Sequence, residues 1–137
     1  MLVFRGIDEE PVFVFQNILC KIIHSSVKLP NAEKALVEDA KLFGYLLNPD
    51  HPQGTHKARY LARFGFTFTN LETARLALLE HSRTHEVTQV VQTGYGPRYV
   101  MEGILKTPDG RNPVVQTVWQ MDHGKVAPRL ITAYPSE

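Results

Sequence analysis

Positions 56 to 59 of this 137-residue chain, His56-Lys57-Ala58-Arg59, hold three side chains that carry or can take positive charge. Imidazole, ammonium and guanidinium groups, together with hydroxyls, are what metal-independent RNA cleavage needs. A base takes the 2′-hydroxyl proton, cations stabilise the phosphorane, and an acid protonates the departing 5′-oxygen. Imidazole is the side chain that ordinarily titrates near neutrality, which selects His56 as base or acid. Lys57 and Arg98 are the candidates for charge stabilisation, and Thr117, Thr132 and Tyr134 for orienting phosphate or sugar. Arg59 and Trp119 are candidate substrate contacts, since unpaired bases stack on aromatic rings, a role open to Tyr134 as well. Each has a competing reading. A charge run on a helix is usually a solvated face, Thr117 and Thr132 are ordinary strand formers, and Trp119 suits a core.

These residues need elements to position them. Thr55 opens a helix running to about Phe64, with Gly65 as its stop. On it His56, Arg59, Tyr60 and Arg63 fall at i, i+3, i+4 and i+7 and form one polar stripe bordered by Lys57. Cations in a helix's first turn oppose its macrodipole at about 0.3 to 1 kcal/mol, so a bound phosphate would relieve the arrangement. An earlier helix spans Glu38 or Asp39 to Leu47, with Asp39 as candidate cap, and a later one spans Leu71 to Arg83, capped by Thr69 or Asn70.

After Thr84 the hydrophobic period becomes alternating, which predicts strands near Glu86 to Thr93, Arg98 to Lys106, Val114 to Met121 and Arg129 to Tyr134. Their links are too short for crossover helices, so neighbours pair antiparallel. A period of two places Val115, Thr117 and Trp119 on one face of the third strand. It likewise places Leu130, Thr132 and Tyr134 on one face of the fourth. The expected class is α+β, with N-terminal helices packed on a four-stranded antiparallel sheet. Residues 29–137 form a single domain and residues 1–28 an N-terminal extension of open structure, because Pro11 to Phe15 and Ile18 to Ile23 suit strand and buried helix equally.

Fifteen Lys+Arg against fourteen Asp+Glu leave a formal charge of +1, so any attraction for an anionic partner must be local. Cys20 is the only cysteine, which excludes an internal disulfide framework and fits a reducing cytoplasm. His24, His51, His81, His85 and His123 read as loop or helix-end residues without ligand spacing, so no metal and no cofactor is expected. No apolar run reaches the ~20 residues that cross a bilayer. Asp8, Glu9 and Glu10 stand where a signal peptide would be apolar, so a cytoplasmic protein is expected.

Several segments resemble a bacterial domain family found both as small stand-alone proteins and at the C-termini of polymorphic toxins. They are LPNAEKALV from Leu29, YLLNPDHPQGTHKARYLARFGF from Tyr45, the Gly94 to Val100 turn with Arg98, and TVWQM followed by RLITAYP to Pro135. The phrase YLLNPDHPxGxHKA with a terminal TAYP carries most of the likeness, which begins near Leu29 and leaves Phe13, Val14 and Phe15 outside. The layout is similar to the barnase/EndoU/colicin/RelE-like group of metal-independent RNases, an analogy of fold and residue type. Residue by residue the resemblance implies His56, Lys57, Arg98, Thr117, Thr132 and Tyr134 as the site.

The resulting expectation is a metal-independent endoribonuclease of bacterial toxin type, acting on RNA and restrained by a neutralising antitoxin or immunity protein. The alternative is a non-catalytic module that binds a phosphate-bearing ligand or a protein. Self-association is compatible with either.

Overall fold

The computed structural model describes residues 27–136. The apolar opening, Pro11 to Ile23, and His24 lie outside them. Helix α1, Asp39–Lys41, runs straight into a π-helical turn, Leu42–Leu46, closed by Leu47 N–H donating to Leu42 O at 2.8 Å. Glu38, and not Asp39, is the capping position, and it makes no side-chain cap. Asp39 instead pairs with Arg75 of helix α3, Leu71–Thr84, and Arg75 also donates to the Val37 carbonyl. Arg75 thus ties the first helix to the last.

Helix α2 spans Thr55–Ala62 and starts from Gly54. Thr55 does not cap it, because its hydroxyl turns back to donate to the His51 carbonyl at 2.8 Å and the Pro49 carbonyl at 3.0 Å. Gly65, at φ 105°, ends the helix in a conformation that favours glycine. Before α3, a 3-10 turn at Phe68–Asn70 carries a reciprocal cap between Thr67 and Asn70, so Asn70 orders this helix start through a bond back to Thr67 N–H.

Strands β1 (Val87–Thr93), β2 (Gly96–Ile104), β3 (Val114–Gln120) and β4 (Arg129–Pro135) form one antiparallel sheet in sequence order. This is the α+β layout the alternation predicts, with the helices packed on one face. That face buries Val115, Thr117 and Trp119 from β3, Met101 from β2, and Leu130 and Ala133 from β4. Leu42, Leu46, Leu61 and Leu78 from the helices complete the core. Burying each large side chain contributes roughly 1.5 to 3 kcal/mol. Leu36 covers part of the β4 edge, donating to Pro128 O and accepting from Leu130 N–H.

One irregularity changes which side chains share a face. Trp119 pairs with Leu130, whereas Val118 pairs with Thr132, which leaves Ile131 as an extra residue in β4. A bulge breaks the two-residue alternation. Leu130 therefore points into the core while Thr132 and Tyr134 lie on the opposite face with Val118 and Gln116, and the expected shared face of Leu130, Thr132 and Tyr134 does not exist. Among the described residues no helix is long and apolar enough to cross a membrane.

Candidate functional site

The π-helical turn puts Tyr45 at the edge of the sheet, where its hydroxyl lies 3.2 Å from Thr132 Oγ1. The start of α2 closes against the same tyrosine. A Cβ on Gly54 would sit 2.4 Å from Tyr45 O, so only glycine lets the two backbones approach. That approach brings Lys57 Nζ to 5.7 Å from the Tyr45 ring centroid, while Lys41 Nζ reaches it at 5.2 Å. Both distances suit cation–π attraction. The ion pairs found among the described residues involve neither lysine.

The His51 ring meets Tyr45 edge-on at 5.0 Å. Its Nδ1 accepts from Gln53 N–H at 3.0 Å, so the proton of the neutral ring is on Nε2, a donor. The Tyr45 ring thus has one ammonium group near it from each of two helices and an imidazole at 5.0 Å, while its hydroxyl bonds Thr132; cations and hydroxyls are the groups that bind an oxyanion.

Of the residues singled out by sequence, Lys57 and Thr132 meet here. Tyr134 is two residues along β4 on the same face as Thr132, its hydroxyl donating to Gln116 Oε1 at 3.0 Å. Arg98 shares that face two strands away, roughly 10 Å across the sheet and 7 Å along it by strand geometry. Its Nε donates to Gln120 Oε1 at 3.0 Å. Next in the same row, Arg129 pairs with Asp122 at 2.7 Å, a bond that lowers the Asp122 pKa from its ordinary value. Arg129 is therefore engaged by a carboxylate.

His56 and Arg59 are exposed, on the flank of α2 away from buried Ala58 and Leu61. Arg59 borders a shallow apolar groove with Ala62 and Phe68. Tyr60 leaves the expected polar stripe, since it packs on Phe64 at 5.1 Å, and burial raises its pKa from the ordinary value. The helix's buried face lies between Ala58, Leu61 and Phe64, so Lys57 and not His56 is the side chain aimed towards β4.

Thr117 and Trp119 are not part of an open concavity, because both are 0% exposed on the helix-covered face. Their polar atoms form a closed internal chain. Trp119 Nε1 donates to Thr117 Oγ1 at 2.9 Å, Thr117 lies 3.1 Å from His81 Nδ1, and His81 Nε2 lies 3.1 Å from Gly103 O. A carbonyl only accepts, so His81 carries its proton on Nε2 and Nδ1 receives the Thr117 O–H. Burial lowers the His81 pKa to about 4, with the Gly103 carbonyl opposing and His85 adding to the shift. The ring centroids of the two histidines are 4.6 Å apart.

Among the described residues no three His, Cys, Asp or Glu side chains gather as a metal site would need. The features sequence reading passed over are Tyr45, Gly54, Gln120 and His81. His81 had a usable signal, since it follows Ala74 and Leu78 on the apolar spacing of α3. Tyr45 and Gln120 had none, because each acts across a long chain separation.

The geometry can be set beside known proteins. Residues 28–137 match the family described as "Domain of unknown function (DUF6883)". The chain belongs to this family. No curated protein sequence matches it. Its fold is similar to that of a chain in a solved structure, "Contact-dependent growth inhibition toxin - immunity protein complex from Klebsiella pneumoniae 342". The TM-score is 0.59 at 15% identity, over 77% of this chain and 97% of that chain. At that identity the likeness is one of fold.

Proposed function

We propose that the protein is a toxin-type module that binds RNA phosphodiesters at the Tyr45 corner and cleaves them without a metal. The observation that carries the reading is that Tyr45 links Lys57, whose ammonium lies 5.7 Å from its ring centroid, to Thr132, which bonds its hydroxyl, with no ion pair to Lys57 among the described residues. Fold likeness to a chain of a toxin–immunity complex supports the toxin type. Lys57 and Arg98 stabilise charge on the phosphorane, and Thr132 and Tyr134 orient phosphate and sugar. His56 lies on the solvent flank of α2, next to Lys57 in sequence and with none of its ring atoms hydrogen-bonded among the described residues, so it takes the proton where the bound RNA passes from the corner onto that flank. The 2′-oxygen forms the new P–O bond, the bond to the 5′-oxygen breaks, and the 2′-proton leaves to the base while the 5′-oxygen receives one. The products are a 2′,3′-cyclic phosphate and a 5′-hydroxyl. An acidic protein that covers the corner serves as the neutralising partner.

A second reading, a phosphate-binding module without cleavage, is favoured by one observation. His51 is the imidazole against Tyr45, and its Nδ1 lone pair is taken by Gln53 N–H.

The test is incubation of purified protein with total RNA in EDTA, wild type beside Lys57→Ala and His56→Ala. Cleavage by wild type, lost in both folded variants, is expected. Saturable RNA binding without products would replace the first reading with the second, and neither binding nor cleavage would refute both.

A further inference from the structure

Gln120 is wholly buried, yet it is a polar side chain at the end of a strand. Every polar atom of its amide is used. Nε2 donates to Gly96 O at 3.1 Å and Pro97 O at 3.3 Å, and Oε1 accepts from Arg98 Nε at 3.0 Å. Carbonyls only accept and guanidinium only donates, so the amide has one workable orientation; its flip would set oxygen against two carbonyls and NH2 against Arg98. The carbonyls it grips belong to the β1–β2 hairpin. Gly96 O also accepts from Thr93 Oγ1 at 2.6 Å, and a Cβ on Gly96 would lie 2.2 Å from Met121 O. The anchor is therefore rigid. Arg98 is half-buried, held at Nε, and its guanidinium has no carboxylate partner among the ion pairs found in the described residues. Arg129, at the other end of the row, already has Asp122.

We propose that Gln120 is a positioning residue that presets Arg98 as a phosphate contact on the sheet face opposite Trp119 and Thr117. This rests on the RNA-binding reading for its ligand, though not for its geometry. Fixing Nε leaves the two Nη groups as a fork suited to two oxygens of one phosphate, and little side-chain freedom is lost on binding.

The first measurement needs no variant: hydrogen exchange of the arginine Nε–H groups by NMR in the wild-type protein. Arg98 should exchange at least about tenfold more slowly than exposed Arg59, and equal rates would overturn the proposal. The second is a double-mutant cycle of Gln120→Met and Arg98→Ala, read as affinity for inorganic pyrophosphate and for a short single-stranded RNA. Gln120→Met should weaken binding about tenfold, the value of one charge-assisted hydrogen bond, and should do nothing further once Arg98 is alanine. An equal loss in the Arg98→Ala background would overturn positioning. Slow Arg98 exchange together with no affinity for RNA would support the positioning geometry while sinking the RNA reading, so the two failures are distinguishable.

Discussion

Acidification should weaken this protein through His81, by an amount that follows from its burial. The ring is 1% exposed and both nitrogens face fixed partners, so an added proton on Nδ1 would meet the O–H that Thr117 donates there and would force that hydroxyl hydrogen to another acceptor. The folded pKa is about 4 against an ordinary 6.5. Between those values the unfolded chain binds a proton that the folded protein refuses, so stability falls as pH drops from about 6.5 and levels off below about 4. At 1.36 kcal/mol per pKa unit the loss from pH 7 is about 2 kcal/mol by pH 5 and about 3 kcal/mol by pH 4. That is a large share of the roughly 5 to 15 kcal/mol that holds a domain together. Urea unfolding of wild type and His81→Gln at pH 7, 6, 5 and 4 isolates the effect, since carboxylate titrations are common to both. The expected result is a stability gap that closes, or reverses, by about 3 kcal/mol as pH falls. A gap constant over that range, or an NMR titration of His81 near 6.5, would refute the neutral buried imidazole.

Other consequences can be read from single contacts. Thr117→Val keeps the shape but strands Trp119 Nε1–H and His81 Nδ1 in the core, so a loss of roughly 2 kcal/mol or more is expected by denaturant titration. Tyr45→Phe should cost about 0.5 to 1.5 kcal/mol through the lost Thr132 bond, and a Tyr45→Phe, Thr132→Val cycle should show the two coupled. Gly54→Ala forces a Cβ against the Tyr45 carbonyl and should lower stability by about 1 to 3 kcal/mol. In binding assays the same variant should weaken RNA affinity as Lys57→Ala does, because it drives α2 away from the corner.

The sequence alone determined the elements and their order. Helices near Asp39–Leu46, Thr55–Ala62 and Leu71–Thr84 and four antiparallel strands are legible because apolar period and turn residues are local properties of the chain. Lys57, Arg98, Thr132 and Tyr134 were legible as site candidates by residue type. Which side chains meet was decided by the tertiary structure. One inserted residue, Ile131, reverses the parity of β4 and parts Thr132 from Leu130. Packing of Ala58 and Leu61 turns Lys57 towards Tyr45 and His56 towards solvent. Thr117, polar by type, is taken inward because His81, 36 positions earlier, supplies a buried partner. Hydrophobic period reports which face of an element is buried, but a bulge, a closed polar chain or a glycine contact depends on atoms brought together only by folding.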